Sequence, residues 1–141
     1  MSEYVLDASA VLAFLNREPG SERVAETLVD SVISAVNLSE VITKLIEIGI
    51  PEEEIQQVLQ YLSCEIIPFD EDAAWYVARL RPLTRHLGLS LGDRACLGLA
   101  LQLNRTAVTA DRAWVSLNIG IAIAVIRGSR LSSFGVFTYH I

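Results

Sequence analysis

Four carboxylates stand where the chain passes from an extended run into a helix or turn. Asp7 follows the apolar run YVL and precedes ASAVLAFL. Glu40 lies in NLSEV, just past the run SVISA. Asp93 lies in SLGDRACL, at the start of an apolar stretch, and Asp111 directly follows TAVTA. A carboxylate flanked by apolar chain on both sides, as at Asp7, is costly to bury unpaired. If the runs before Asp7, Glu40 and Asp111 are strands of a parallel sheet, their ends share the edge at which open α/β sheets bind ligands. Asp93 joins them if its helix begins at that edge. Converging like charges repel, and a divalent cation relieves the repulsion. Hard oxygen ligands suit Mg²⁺ or Mn²⁺. The only histidines are His86 and His140, so a histidine-rich zinc site is not expected. Phosphodiester hydrolysis is the leading chemistry for such an ion, which activates water and stabilises charge growing on phosphate. Taken singly, each acid could instead cap a helix, since acids favour helix N-termini and Glu40 and Asp93 fit capping-box positions.

The elements that must position these acids can be read from periodicity and punctuation. Strands are expected at residues 4–7, 31–35, 64–69, 106–109 and 120–126. Helices are expected at 8–15, at 22–30 with Ser21 as cap, from Asn37 as cap to Gly49, from Pro51 to about 62, from Asp70 or Asp72 through Ala78, and from Ser90 through Leu101. A short helix should follow Asp111. Ile55, Val58, Leu59 and Leu62 mark the clearest amphipathic face. The stretch Ala95–Leu101 is apolar nearly all round, so its helix should be central. Alternating strands and helices with uninterrupted apolar strands indicate one three-layer α/β/α domain with a central five-stranded parallel sheet.

The chain has 141 residues, 52% hydrophobic, enough for one compact core. Net charge is −6, but residues 1–78 hold 15 acids and 3 bases, whereas residues 79–141 hold 2 acids and 8 arginines. Such asymmetry can mark a face for an anionic partner, or the arginines can neutralise the acidic half within the fold. The longest stretch without Asp, Glu, Lys or Arg is 14 residues, 113–126, short of the roughly 20 that span a bilayer. No basic stretch precedes the first apolar run, and Cys64 and Cys96 form no C-x-x-C. A cytoplasmic location with reduced, packed thiols is the simplest expectation.

The segments DASA at 7–10, NLSEV at 37–41, LSLGDRACL at 89–97 and VTADRAW at 108–114 together resemble a PIN domain, in particular the VapC-type toxins of bacterial toxin–antitoxin pairs. The likeness covers about residues 3–127, and four acidic motifs in order and spacing are specific. The resemblance implies a Mg²⁺- or Mn²⁺-dependent endoribonuclease with one or two ions, acting on RNA as a homodimer with a small antitoxin partner. It implies that Asp7, Glu40, Asp93 and Asp111 are the catalytic and metal-binding quartet, supported by Ser9 and Thr109. Hydroxyl caps are the plain alternative for that pair. Arg94 and Arg112 each follow a quartet acid and are candidates for RNA phosphate contact or for pairing within the fold. Trp75, Tyr76 and Trp114 are expected in core or interface. The helices of residues 38–62 could offer a groove to a partner helix. Residues 128–141 continue past the family pattern as a C-terminal extension of uncertain status.

Two other classes compete. A PIN-like module could bind a protein or RNA without cutting. A phosphoryl-accepting receiver domain also sets an acid at a strand end, but it commonly wants a further acidic pair and a late-strand lysine. The only lysine here is Lys44, on a helix, and no G-x-G-x-x-G follows the first strand, which disfavours a dinucleotide enzyme.

Overall fold

Five short strands build the sheet: β1 (Tyr4–Leu6), β2 (Ser31–Ser34), β3 (Glu65–Ile67), β4 (Thr106–Thr109) and β5 (Ile123–Val125). The structure is a computed structural model and describes residues 3–126. The strand order is β3-β2-β1-β4-β5, and every neighbouring pair is parallel. Parallel strands need crossovers, and helices supply them. These are α1 (Ala8–Leu15), α2 (Ser21–Thr27), α3 (Ala35–Glu47), α4 (Glu52–Leu62), α5 (Glu71–Thr84) and α6 (Leu91–Leu103). The order reverses at β1, which pairs with β2 on one side and β4 on the other. The crevice outside the carboxyl ends of β1 and β4 is therefore a topological switch point.

Side-chain alternation divides the interior into two cores. Leu6, Ile33 and Val108 face one way and pack with α1 to α4, through residues such as Val11, Val24, Val41 and Ile55. Val5, Val32 and Ala107 face the other way, against Leu80 of α5, Cys96, Leu97 and Ala100 of α6, and Trp114. The three-layer α/β/α expectation holds, and α6 is buried continuously from Ala95 to Ala100. No helix among the described residues is long and apolar enough to cross a membrane.

Several boundaries differ from the sequence reading. The cap of α3 is Ser34, whose Oγ accepts from Val36 N at 3.2 Å, and Asn37 lies inside the helix. Ser34 ends β2 in extended backbone, so it can start a helix at once, and Asn37 is no longer free to cap. The cap of α2 is Gly20 at φ +97°, not Ser21; a β-carbon there would meet Ile126 O at 2.5 Å. The helix ends at Thr27 and tightens into a 3₁₀ turn, Leu28–Asp30. Strand β3 stops before Pro68, which offers no N–H to a ladder. Trp114 is fully buried, but Trp75 is 57% exposed, with the Arg79 guanidinium over its ring. The proposed extension, 128–141, lies outside the described residues.

Leu97 is completely buried where α6 meets the sheet. Truncation leaves a cavity in a close-packed layer, so Leu97→Ala should cost about 3 kcal/mol. Urea unfolding should show a lower midpoint with an unchanged slope; a loss under about 1 kcal/mol would contradict this packing role.

Candidate functional site

Asp7 directly follows β1 and is only 4% exposed. Its Oδ1 accepts from Ser9 Oγ at 2.7 Å and from Ala10 N at 2.8 Å, the second bond capping α1. Its Oδ2 accepts from Thr109 Oγ1 at 2.5 Å. The two hydroxyls also organise the loop after β4: Ala110 N donates to Ser9 Oγ at 2.9 Å, and Asp111 N donates to Thr109 Oγ1 at 3.0 Å. Ser9 and Thr109 thus fix Asp7 and the backbone that carries Asp111; neither is the cap of a helix. Burial pushes the Asp7 carboxyl up to about 6 from the usual 3.8, against the opposing pull of the Thr109, Ala10 and Ser9 hydrogen bonds; the charge of Asp93 adds to the rise.

The other three acids come from helix starts and a turn. Asp93 closes a capping box with Ser90, accepting Ser90 N at 2.9 Å and leaving one carboxylate oxygen out of that bond. Asp111 caps the 3₁₀ turn Arg112–Ser116, accepting Ala113 N at 2.9 Å. Glu40 projects from α3, and its Oε1 accepts Asn37 Nδ2 at 2.9 Å. The capping alternatives for Asp7, Asp93 and Asp111 are therefore real, and all three caps share one place. Asp7, Glu40, Asp93 and Asp111 line a single cavity of about 440 Å³ at the switch point. Beneath it lies Cys96, whose thiol is pushed well up by burial and then by the charges of Asp7, Asp93 and Glu40. It is a packed, protonated thiol that donates toward Val5 O at 3.7 Å.

The donor set fits a hard divalent cation. It is made of carboxylate oxygens, with hydroxyls behind them, and none of the four acids is in a salt bridge among the described residues. Among the described residues no three His, Cys, Asp or Glu side chains already converge on a common point. Capping bonds hold Asp7, Asp93 and Asp111 on the cavity wall. Glu40 is the longest of the four side chains, is exposed, and is the one not tied to a helix cap.

Two arginines separate here. Arg94 Nη1 donates to Val77 O at 3.2 Å and braces α6 against α5, a bond within the fold. Adjacent helical residues point about 100° apart, and Arg94 leaves the cavity that Asp93 faces. Arg112 is exposed beside Asp111. The cavity is also lined by Asn37, expected only as a helix cap, and by Lys44 and Glu47, which lie outside the acidic motifs. With Glu40 they fall at i, i+3, i+7 and i+10 on α3, a one-face spacing that could have found them. Lys44 Nζ lies 3.9 Å from Glu47. A cleft of about 570 Å³ opens at the opposite strand ends near Glu3 and Arg105, but it gathers only one carboxylate.

The PIN domain family model matches residues 4–119. No curated protein matches the chain. Among solved structures, a chain of DNA-bound VapBC from Salmonella typhimurium is similar with a TM-score of 0.71 and 22% identity, covering 90% of this chain and all of that one. VapBC2 from Rickettsia felis, bound to a promoter DNA fragment, gives 0.69 and 21%, covering 86% of this chain and 97% of that one. VapBC-5 from Mycobacterium tuberculosis, a member of the VapBC family of toxin-antitoxin systems, gives 0.57 and 21%, covering 91% and 100%. At these identities the likeness is one of fold.

The raised Asp7 carboxyl has a stability consequence. Between about pH 4 and 6 the folded chain holds a proton that the unfolded chain has released, so ion-free stability falls as pH rises through that window. Asn can still cap α1. In EDTA, Asp7→Asn should therefore be more stable than wild type at pH 7.5, by up to roughly 3 kcal/mol, with the difference vanishing near pH 4. Urea unfolding at the two pH values checks it; a variant less stable at pH 7.5 would contradict the burial cost.

Proposed function

The chain belongs to the PIN-domain family, and on that premise we propose that it is a divalent-metal-dependent endoribonuclease, the VapC-type toxin of a toxin–antitoxin pair. The observation that carries this reading is Asp7, a carboxylate 4% exposed at a sheet switch point, facing a cavity of carboxylates with no cation paired to it among the described residues. A buried charge kept at such cost suits a strong external counter-charge.

Asp7, Glu40, Asp93 and Asp111 would hold Mg²⁺ or Mn²⁺, as one ion or two. When bound, the metal supplies activation of water and stabilisation of charge developing on the phosphate. The chain's own residues do the rest. Ser9, Thr109 and the Ala10 amide hold Asp7 in one orientation before substrate arrives. Among the described residues, Lys44 in the cavity wall and exposed Arg112, next to Asp111 in the chain, are cations that can meet the RNA backbone. Hydrolysis adds water across a phosphorus–oxygen bond of the backbone, and an open cavity admits both reactants.

A small antitoxin partner belongs to the same reading. It is supported by the VapBC assemblies among similar structures and by an apolar groove between α1, α2 and α4, lined by Phe14, Leu15, Val58 and Tyr61. Tyr61 is 79% exposed there, as a helix-binding groove would leave it before binding. Exposed Trp75 and Leu83 on α5 support a second copy of the chain as a further partner. A cytoplasmic location accords with both free thiols.

Purified chain should cleave RNA in Mn²⁺ or Mg²⁺ and lose all cleavage in EDTA. Asp7→Asn and Asp93→Asn should each lower the rate at least 100-fold with circular dichroism unchanged. Metal-independent cleavage, or wild-type rates in either variant, would sink the nuclease reading; metal binding without cleavage of any RNA would favour the binding module. For the backbone contact, Arg112→Ala should weaken RNA affinity and reduce the salt slope by about 1. An unchanged slope would remove Arg112 from the interface.

A further inference from the structure

Asn37 is 1% exposed, yet no donor among the described residues reaches its Oδ1. An unpaired buried amide oxygen is costly, so its retention asks for a reason. The amide nitrogen is fully used. One proton goes to Glu40 Oε1 at 2.9 Å and the other to the Gly92 carbonyl at 2.9 Å. Both partners are acceptors, so the orientation of the amide is fixed by chemistry. The first bond steadies the one quartet carboxylate that caps nothing. The second ties it to the first turn of α6, the turn that carries Asp93.

Gly92 completes the cradle. A β-carbon at this position would collide with the Glu40 carboxylate. Its presence in the first turn of a helix is not a gain in propensity, since alanine would be preferred there. Two local costs, an orphaned amide oxygen and a helical glycine, thus converge on the same side chain.

We propose that Asn37 and Gly92 are positioning residues for Glu40, and that Asn37 Oδ1 is the uncharged oxygen kept for a ligand that donates hydrogen bonds, as a hydrated divalent cation does. The inference rests on the metal-dependent reading above and extends it to two residues outside the acidic quartet. Groups that orient a metal ligand typically contribute 10- to 100-fold to metal affinity.

The test is calorimetric titration of Mn²⁺ into the full chain at pH 7.5, with Asp7→Asn as control. Asn37→Ala and Gly92→Ala should each bind Mn²⁺ about 10- to 100-fold more weakly at a temperature where circular dichroism shows them folded. The double variant should lose less than the product of the two, because both act through Glu40. A purely structural role would lower the melting temperature and leave the affinity of folded protein unchanged. If Asn37→Ala does not fold, Gly92→Ala decides, since it leaves the Asn37 bond to the Gly92 carbonyl in place and meets only the far end of the Glu40 side chain. Affinity within twofold of wild type in folded variants, with binding lost in Asp7→Asn, would overturn the inference and leave the metal reading standing. A wild-type chain that binds no Mn²⁺ would overturn both.

Discussion

The structure turns on the placing of one carboxylate, Asp7, at the end of the central strand and out of water. Its backbone N–H donates to Val108 O at 3.1 Å, continuing the β1–β4 pairing by one residue. Its carboxylate caps α1 and collects the hydroxyls of Ser9 and Thr109, and those hydroxyls hold the backbone amides of Ala110 and Asp111. Strand, helix and the turn after β4 therefore meet at two oxygen atoms. Hydrogen bonds favour the charged form, but burial opposes them and wins. An apolar residue here would escape that cost but would leave the Ala10 amide and the Ser9 and Thr109 hydroxyls without their acceptor.

Topology explains why the neighbours of Asp7 are also acids. Parallel strands put β1 and β4 ends side by side, and the reversal of strand order opens a crevice there. The first turn of α6 and the second turn of α3 look into the same crevice, joined by the Asn37 bond to Gly92. Asp111 arrives one residue beyond Ala110 on the way out of β4. Two hydrophobic cores, one on each sheet face, make the scaffold rigid enough to hold these repelling groups near one another. Among the described residues no arginine forms a salt bridge with them: Arg94 bonds to Val77 O of α5, and Arg79 lies over Trp75 and Tyr76.

Much of this was legible in the sequence. Apolar runs ending in acids fixed the sheet edge, and the Ser90-x-x-Asp93 spacing fixed the start of α6, because capping boxes use a short local geometry. Asn37-x-x-Glu40 has the same spacing and means something else. Ser34 is a good cap three residues earlier and comes free at the end of β2, so the helix starts there and the Asn37 amide turns to Glu40 and Gly92. Local pattern cannot choose between two adequate caps; the end of the strand does. Arg94 adjoins Asp93 in sequence, but on a helix adjacency means a different face, and its guanidinium turns to Val77 of α5. Trp75 and Trp114 are alike in type, and only the packing of α5 against α6 separates the exposed ring from the buried one.

The central claim is that Asp7 is buried to meet a divalent ion, and the proton it holds reports on that directly. Mn²⁺ binding at pH 6, measured by calorimetry in two buffers of different ionisation enthalpy, gives the number of protons released. With the carboxyl at about 6, wild type should release on the order of half a proton per ion bound. Binding that releases no proton and is equally tight in Asp7→Asn would mean the ion sits elsewhere, and the account of Asp7 would be wrong.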